Sequence, residues 1–115
     1  MPWTVQLHPD FAKEFLALDR EVRVALLQRT ARLEEEGPRA GRPTVDTLVG
    51  SRFANMKEIR FDAADGAWRV AFAFDPERKA ILLVAGDKAG VSQKRFYKSL
   101  IATADRRFQD HLDSL

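Results

Sequence analysis

The sequence predicts an α+β fold of order β-α-α-β-β-β-α, a mostly antiparallel sheet with an N-terminal helical hairpin and a C-terminal helix. Three observations carry that expectation. Residues 9–36 and 92–112 repeat their apolar side chains at helical spacing. Between them, residues 56–88 hold three strand-like apolar runs separated by short turn sequences, the pattern of a meander. Gly37-Pro38 and a Pro/Gly-rich stretch divide the helical part from the strand part.

Trp3 to Leu7 alternates polar and apolar residues and reads as a short strand. Pro9 suits a first helical position, and Phe11, Phe15 and Leu18 at i, i+4 and i+7 fall on one helix face. Asp19 is placed to cap a second helix over Arg20 to Glu36, with Val22, Leu26, Arg29 and Leu33 as its stripe and Ala25 beside it. Gly37 takes the left-handed closing position there, and Pro38 cannot continue the helix. Residues 38–52 read as a connecting loop. In Met56 to Phe61, Ile59 and Phe61 share one face and Glu58 and Arg60 the other, with Lys57 in parity with the apolar pair. D-A-A-D-G (62–66) is a hairpin loop and D-P-E-R (75–78) a second turn. Trp68, Val70, Phe72 and Phe74 alternate with Arg69, Ala71, Ala73 and Asp75. Ser92 caps the last helix, whose stripe is Tyr97, Leu100, Ile101, Ala104, Phe108, Leu112 and Leu115.

A length of 115 residues fits one domain, 1–115. The net charge is +2, yet residues 51–115 carry 12 Lys/Arg against 9 Asp/Glu while residues 1–50 carry 7 against 8. Local clustering of this kind steers anions even in a chain near neutrality. The absence of cysteine excludes disulfides and thiolate metal sites. No signal peptide is legible, and the longest apolar run, Ala80 to Gly86, is far too short to span a bilayer. A soluble, cytoplasmic protein is expected, without membrane contact, metal or cofactor.

The chemistry-bearing residues are mostly basic. Lys57, Arg60, Arg69 and Lys88 interrupt the three strands and suggest a sheet with one apolar and one basic face, suited to polyanionic phosphate. Ala71 and Ala73 beside Arg69 suggest a shallow concavity around its guanidinium. Lys88 ends the third strand just before Ser92 opens a helix, so a phosphate there would meet an ammonium and helix N-terminal amides. Lys94, Arg95 and Tyr97 lie in that helix's first turns. The competing reading of Arg60 and Arg69 is a solvated sheet face paired with Glu58 and Asp62. His8 and His111 read as structural, which disfavours paired-imidazole ribonuclease chemistry. Gly86-Asp87-Lys88-Ala89-Gly90 lacks the spacing of a phosphate loop, and turn chemistry accounts for Asp62, Asp65 and Asp75 better than a metal site does.

K-E-I-R (57–60), W-R-V-A-F-A-F-D-P-x-R-x-A-I-L-L-V-A-G-D-K (68–88) and R-F-Y-K-x-L-I-x-x-A-D-x-R-F-x-x-H-L (95–112) together resemble the HigB/RelE-like toxins of bacterial type II toxin–antitoxin systems, in particular their phage-derived HigB-like branch. The resemblance covers about residues 3–112. It implies a RelE-like fold and a metal-independent, ribosome-dependent endoribonuclease that cleaves translated mRNA in the ribosomal A site. It also implies a helix-turn-helix antitoxin partner and a toxin–antitoxin hetero-oligomer. Carried over residue by residue, Arg69 takes the position of the family's transition-state arginine. Lys57 and Arg60 take basic positions used for phosphate contact or proton transfer, with Lys57 as a base whose pKa neighbouring cations depress. Lys88, Lys94 and Arg95 would meet RNA, and Tyr97 approximates a tyrosine that orients it. His111 lies too far along the helix to stand for the C-terminal histidine that some HigB-type toxins use.

Two other functions fit the same resemblance. One is a ParE-like, non-nuclease toxin that poisons DNA gyrase; the other is a decayed toxin that only binds an antitoxin. The antitoxin would cover the basic face or pack on the helical hairpin.

Overall fold

A computed structural model describes residues 2–115. Its strands are β1 (Thr4–Leu7), β2 (Val45–Thr47), β3 (Met56–Ala63), β4 (Gly66–Phe74) and β5 (Lys79–Asp87), and its helices are α1 (Pro9–Leu16), α2 (Arg20–Glu36) and α3 (Gln93–Asp113). The strands form one sheet in the order β1-β5-β4-β3-β2. β3, β4 and β5 are the predicted antiparallel meander, and β1 joins β5 in parallel at the edge. Two further elements overlap the stretch 38–52 read as loop. A 3-10 turn covers Gly37–Arg39, and β2 pairs antiparallel with β3. Three residues are too few to show alternation, so β2 gives no periodic signal; it exists because the β3 edge offers it a ladder.

The turns follow from local chemistry. β3 runs to Ala63 and β4 resumes at Gly66, leaving a two-residue loop in which Ala64 (φ 49°) and Asp65 (φ 61°) are both left-handed. That geometry matches the twist of the flanking strands. At the second turn, Asp75 Oδ1 accepts from the backbone N–H of Glu77 and Lys79, both at 2.9 Å. Asp19 holds the N-cap position of α2 but makes no side-chain cap bond, so the expected cap is positional only. Ser92 does cap α3, its Oγ accepting from the Arg95 N–H at 3.3 Å.

Apolar clusters cover both faces of the sheet. Phe11, Val22, Leu26 and Leu33 of the hairpin pack on Ile59, Phe61, Val70, Phe72 and Leu82. On the other face Phe96, Leu100, Ala104 and Phe108 of α3 pack on Met56, Ala71, Ala73, Ile81 and Leu83. The expectation of one apolar and one basic face is therefore corrected. Ala71 and Ala73, fully buried, are the floor on which α3 lies. A row of small residues on a strand admits a helix as readily as a ligand. The α3 stripe also needs amendment: Phe96 is buried and belongs to it, whereas Leu115 is 52% exposed.

Polar clamps fix α3. The register steps from Ala71↔Val84 to Phe72↔Leu82, so Leu83 is a bulge. Its carbonyl accepts from Arg107 Nη1 at 2.8 Å, and the same guanidinium grips Glu14 of α1 with two bonds of 2.8 and 2.6 Å. That fork holds the Glu14 carboxyl below its ordinary range and pushes the Arg107 pKa further up. His111 Nε2 meets Asp75 Oδ2 at 2.8 Å, and His8 Nε2 meets Asp110 Oδ2 at 2.9 Å. Burial pushes the Asp75 carboxyl up, but the bonds from His111, Lys79 and Glu77 outweigh it and leave the pKa lowered. Both histidines are buried and neither lines the groove described next.

Candidate nucleic-acid groove

A concavity of about 960 Å³ runs between the first half of α3 and the β2–β3 edge. Each wall has a local cause. Ser92 starts α3 so that Lys94, Tyr97, Lys98 and Ile101, at i, i+3, i+4 and i+7, share the face toward the groove. Opposite them lies the chain from Asp46 to Gly50. Just beyond it, Ser51 Oγ donates to Asp105 Oδ1 at 2.5 Å and the Arg52 N–H donates to Asp105 Oδ2 at 3.1 Å, tying the loop to α3. Asp87 fixes the approach to the helix, its Oδ1 accepting from the N–H groups of Ala67 and Ala89, both at 2.9 Å. The N–H of Lys88 donates to the Ala67 carbonyl. That turn brings Lys88 into the lining of the groove.

Four cations line the groove, Arg60, Lys88, Lys94 and Lys98. Leu48, Val49 and Ile101 add an apolar part to its lining. Its floor holds a polar pair: Tyr97 Oη donates to Glu58 Oε1 at 2.8 Å. Arg69 lies behind that pair. Its Nη1 donates to the Trp68 carbonyl at 2.8 Å, and its Nε, buried without a hydrogen bond, is 3.8 Å from Glu58 Oε1. Burial pushes the Glu58 carboxyl up, against the hydrogen bond from Tyr97 and the charges of Arg69 and Arg60. Burial, then the bond to Glu58, pushes the Tyr97 phenol up as well. Arg60 is 3.8 Å from Asp46 and lines both this groove and a smaller hollow shared with Arg42 and Arg69.

The predicted site residues divide on this geometry. Arg60, Lys88, Lys94 and Tyr97 converge on the groove. Arg95 lies on another face of α3, beside Val84, Gly86 and Thr103. Lys57 follows strand alternation onto the face of Ile59 and Phe61, so the trio Arg69, Lys57 and Arg60 does not share one surface. Arg69 is only 6% exposed, because α3 fills the concavity expected around it. Sequence reasoning passed over Lys98 and Glu58. Lys98 was recoverable from its i+4 spacing to Lys94. Glu58 shares strand parity with Arg60, but only the fold brings Tyr97 to it.

The phage-derived Gp49-like protein family matches residues 13–109. The chain belongs to the Gp49-like family. A Mycobacterium tuberculosis protein described as the candidate toxin HigB3 is 46% identical over 96% of this chain and 94% of its own length. The candidate toxin HigB2 of the same organism is 47% identical over 83% of this chain, which spans only 47% of that protein. Among solved structures, a double arginine-to-alanine variant of Escherichia coli toxin RelE in the free state superposes with a TM-score of 0.64 at 16% identity, covering 89% of this chain and 96% of that one. A chain of an archaeal RelE–RelB complex from Pyrococcus horikoshii gives 0.56 at 18% identity, covering 79% of this chain and 100% of that one. The Gp49-like chain thus has the RelE fold, and its relatives place it with the HigB/RelE-like toxins.

Proposed function

We propose that this Gp49-like chain is the toxin of a type II toxin–antitoxin pair and acts as an endoribonuclease on translated mRNA in the ribosomal A site. The observation that carries the reading is the groove itself: four cations and three apolar side chains in one lining fit a single strand, whose phosphates would meet the cations while a base meets the apolar part. Cleavage would proceed by attack of a ribose 2′-oxygen on the adjacent phosphate. Arg60, open to both the groove and the hollow that Arg69 lines, is the side chain best placed to oppose the developing phosphorane charge. Arg69 supports it from behind, and Lys88, Lys94 and Lys98 hold the flanking phosphates. Lys57 has no place in this arrangement.

The antitoxin would be a small helix-turn-helix protein, and the pair would work in the cytoplasm. No helix among the described residues is long and apolar enough to cross a membrane. The test uses purified ribosomes programmed with a short mRNA and a vacant A site. The reading expects cuts in the A-site codon that leave a 2′,3′-cyclic phosphate, lost in Arg60→Ala. Intact mRNA alongside inhibition of DNA gyrase would replace it with the ParE-like reading.

A further inference from the structure

The groove poses a problem that its cations do not solve. Attack by a 2′-hydroxyl requires something to take its proton, and nearly every ionisable side chain there is a proton donor at neutral pH. Arg60, Lys88, Lys94 and Lys98 are cations, and Tyr97 already donates to Glu58. Both histidines are elsewhere, held by Asp110 and Asp75. Two carboxylates remain, Asp46 and Glu58. Asp46 lies within 4 Å of Arg60 and Arg42 at the rim, and its Oδ1 accepts from the Thr47 N–H. Glu58 lies on the floor, and the contacts of its carboxylate with Tyr97 and Arg69 both fall on Oε1. Among the described residues, no hydrogen bond engages Oε2.

We propose that Glu58 is the general base of this site, an assignment that rests on the nuclease reading above. Oε2 takes the proton of the 2′-hydroxyl as O2′ bonds to phosphorus. The bond from phosphorus to the 5′-oxygen breaks, and that oxygen takes a proton from a groove ammonium. Glu58 and the lysine then exchange their protons with water. Tyr97, bonded to Oε1, fixes the carboxylate with the charge of Arg69 3.8 Å from the same oxygen, and the second oxygen is left for the substrate. Burial pushes the Glu58 carboxyl up and so strengthens it as a base, while the bond from Tyr97 and the charges of Arg69 and Arg60 oppose that rise. Asp46 adds to the rise, and Lys94 and Lys98 of α3 line the same groove.

A base and a mere charge in the groove predict opposite things. Removing a negative charge from a cationic groove strengthens its hold on RNA, so Glu58→Gln should bind a short single-stranded RNA at least as tightly as the native protein. Its single-turnover cleavage on programmed ribosomes should nevertheless fall about 100-fold or more, the ordinary worth of a positioned base. The native rate should rise with pH through an acid limb that is absent in Glu58→Gln. In Tyr97→Phe that limb should move to higher pH, because the bond that favours the ionised carboxylate is gone. Glu58→Gln cleaving at the native rate, or retaining the acid limb, overturns the assignment and leaves the nuclease reading standing. Native protein that never cleaves overturns both. Should Glu58→Gln fail to fold, the native and Tyr97→Phe profiles decide, and an unmoved limb refutes the base.

Discussion

Replacing Lys94 and Lys98 together with alanine should change how salt acts on RNA binding, whereas an equal loss of charge elsewhere on α3 should not. Each cation that meets a phosphate of a single strand lowers log K by about 0.7 per decade of salt. Arg60, Lys88, Lys94 and Lys98 line the groove, so full engagement gives a slope of about −2.8. A tenfold rise in salt then weakens native binding roughly 600-fold but weakens Lys94→Ala/Lys98→Ala, with its slope of about −1.4, only about 25-fold. Arg95 lies on another face of α3 and Arg106 is exposed farther along the helix, so Arg95→Ala/Arg106→Ala removes the same charge and should keep the native slope. Fluorescence anisotropy of a labelled single-stranded RNA, titrated across a salt series, measures all three. Equal slopes for the two double variants would refute the groove, because binding would then follow net charge alone.

Three further predictions concern the scaffold. Gly37 has φ +56°, and a Cβ there would collide with the Trp3 indole. Gly37→Ala should therefore cost about 2–4 kcal/mol from backbone strain and overpacking, a fall of roughly 8–16 °C in Tm by calorimetry; an unchanged Tm would contradict it. Glu14→Gln should destabilise by about 1 kcal/mol at neutral pH, a figure kept small because the Glu14 side chain is half exposed. Since the folded carboxyl titrates below its unfolded value, its contribution is present above the unfolded pKa and is lost as pH falls through the folded one. Urea midpoints of native and variant protein should converge on acidification, and a constant gap would count against the fork. Ala64→Asn should stabilise by about 0.5–1 kcal/mol, since asparagine tolerates the left-handed conformation better than alanine does; a lower Tm would argue against the turn.

The sequence displayed the parts of this fold whose signal is periodic or punctuated. The β3–β5 meander, the two N-terminal helices and the Ser92 cap all announce themselves through alternation, helical spacing or turn residues. Even the awkward parity of Lys57 was readable, and strand geometry alone places it away from Arg60. What stayed hidden depends on contacts distant in the chain. The parallel pairing of β1 with β5 joins residues about 75 positions apart, and β2 exists only against β3. Ala71 and Ala73 looked like an opening beside Arg69, and only the docking of α3 shows that they are its bed. Glu58 read as an ordinary partner for neighbouring arginines until α3 brought Tyr97 onto it, 39 residues along the chain.

The central claim is that this chain cuts translated mRNA through its groove. The most direct measurement maps RNA 5′ ends in cells shortly after the chain is induced without an antitoxin, comparing a transcript with a copy lacking its start codon. The account predicts cuts confined to the translated copy and absent with Arg60→Ala. Growth arrest with both transcripts intact would contradict it.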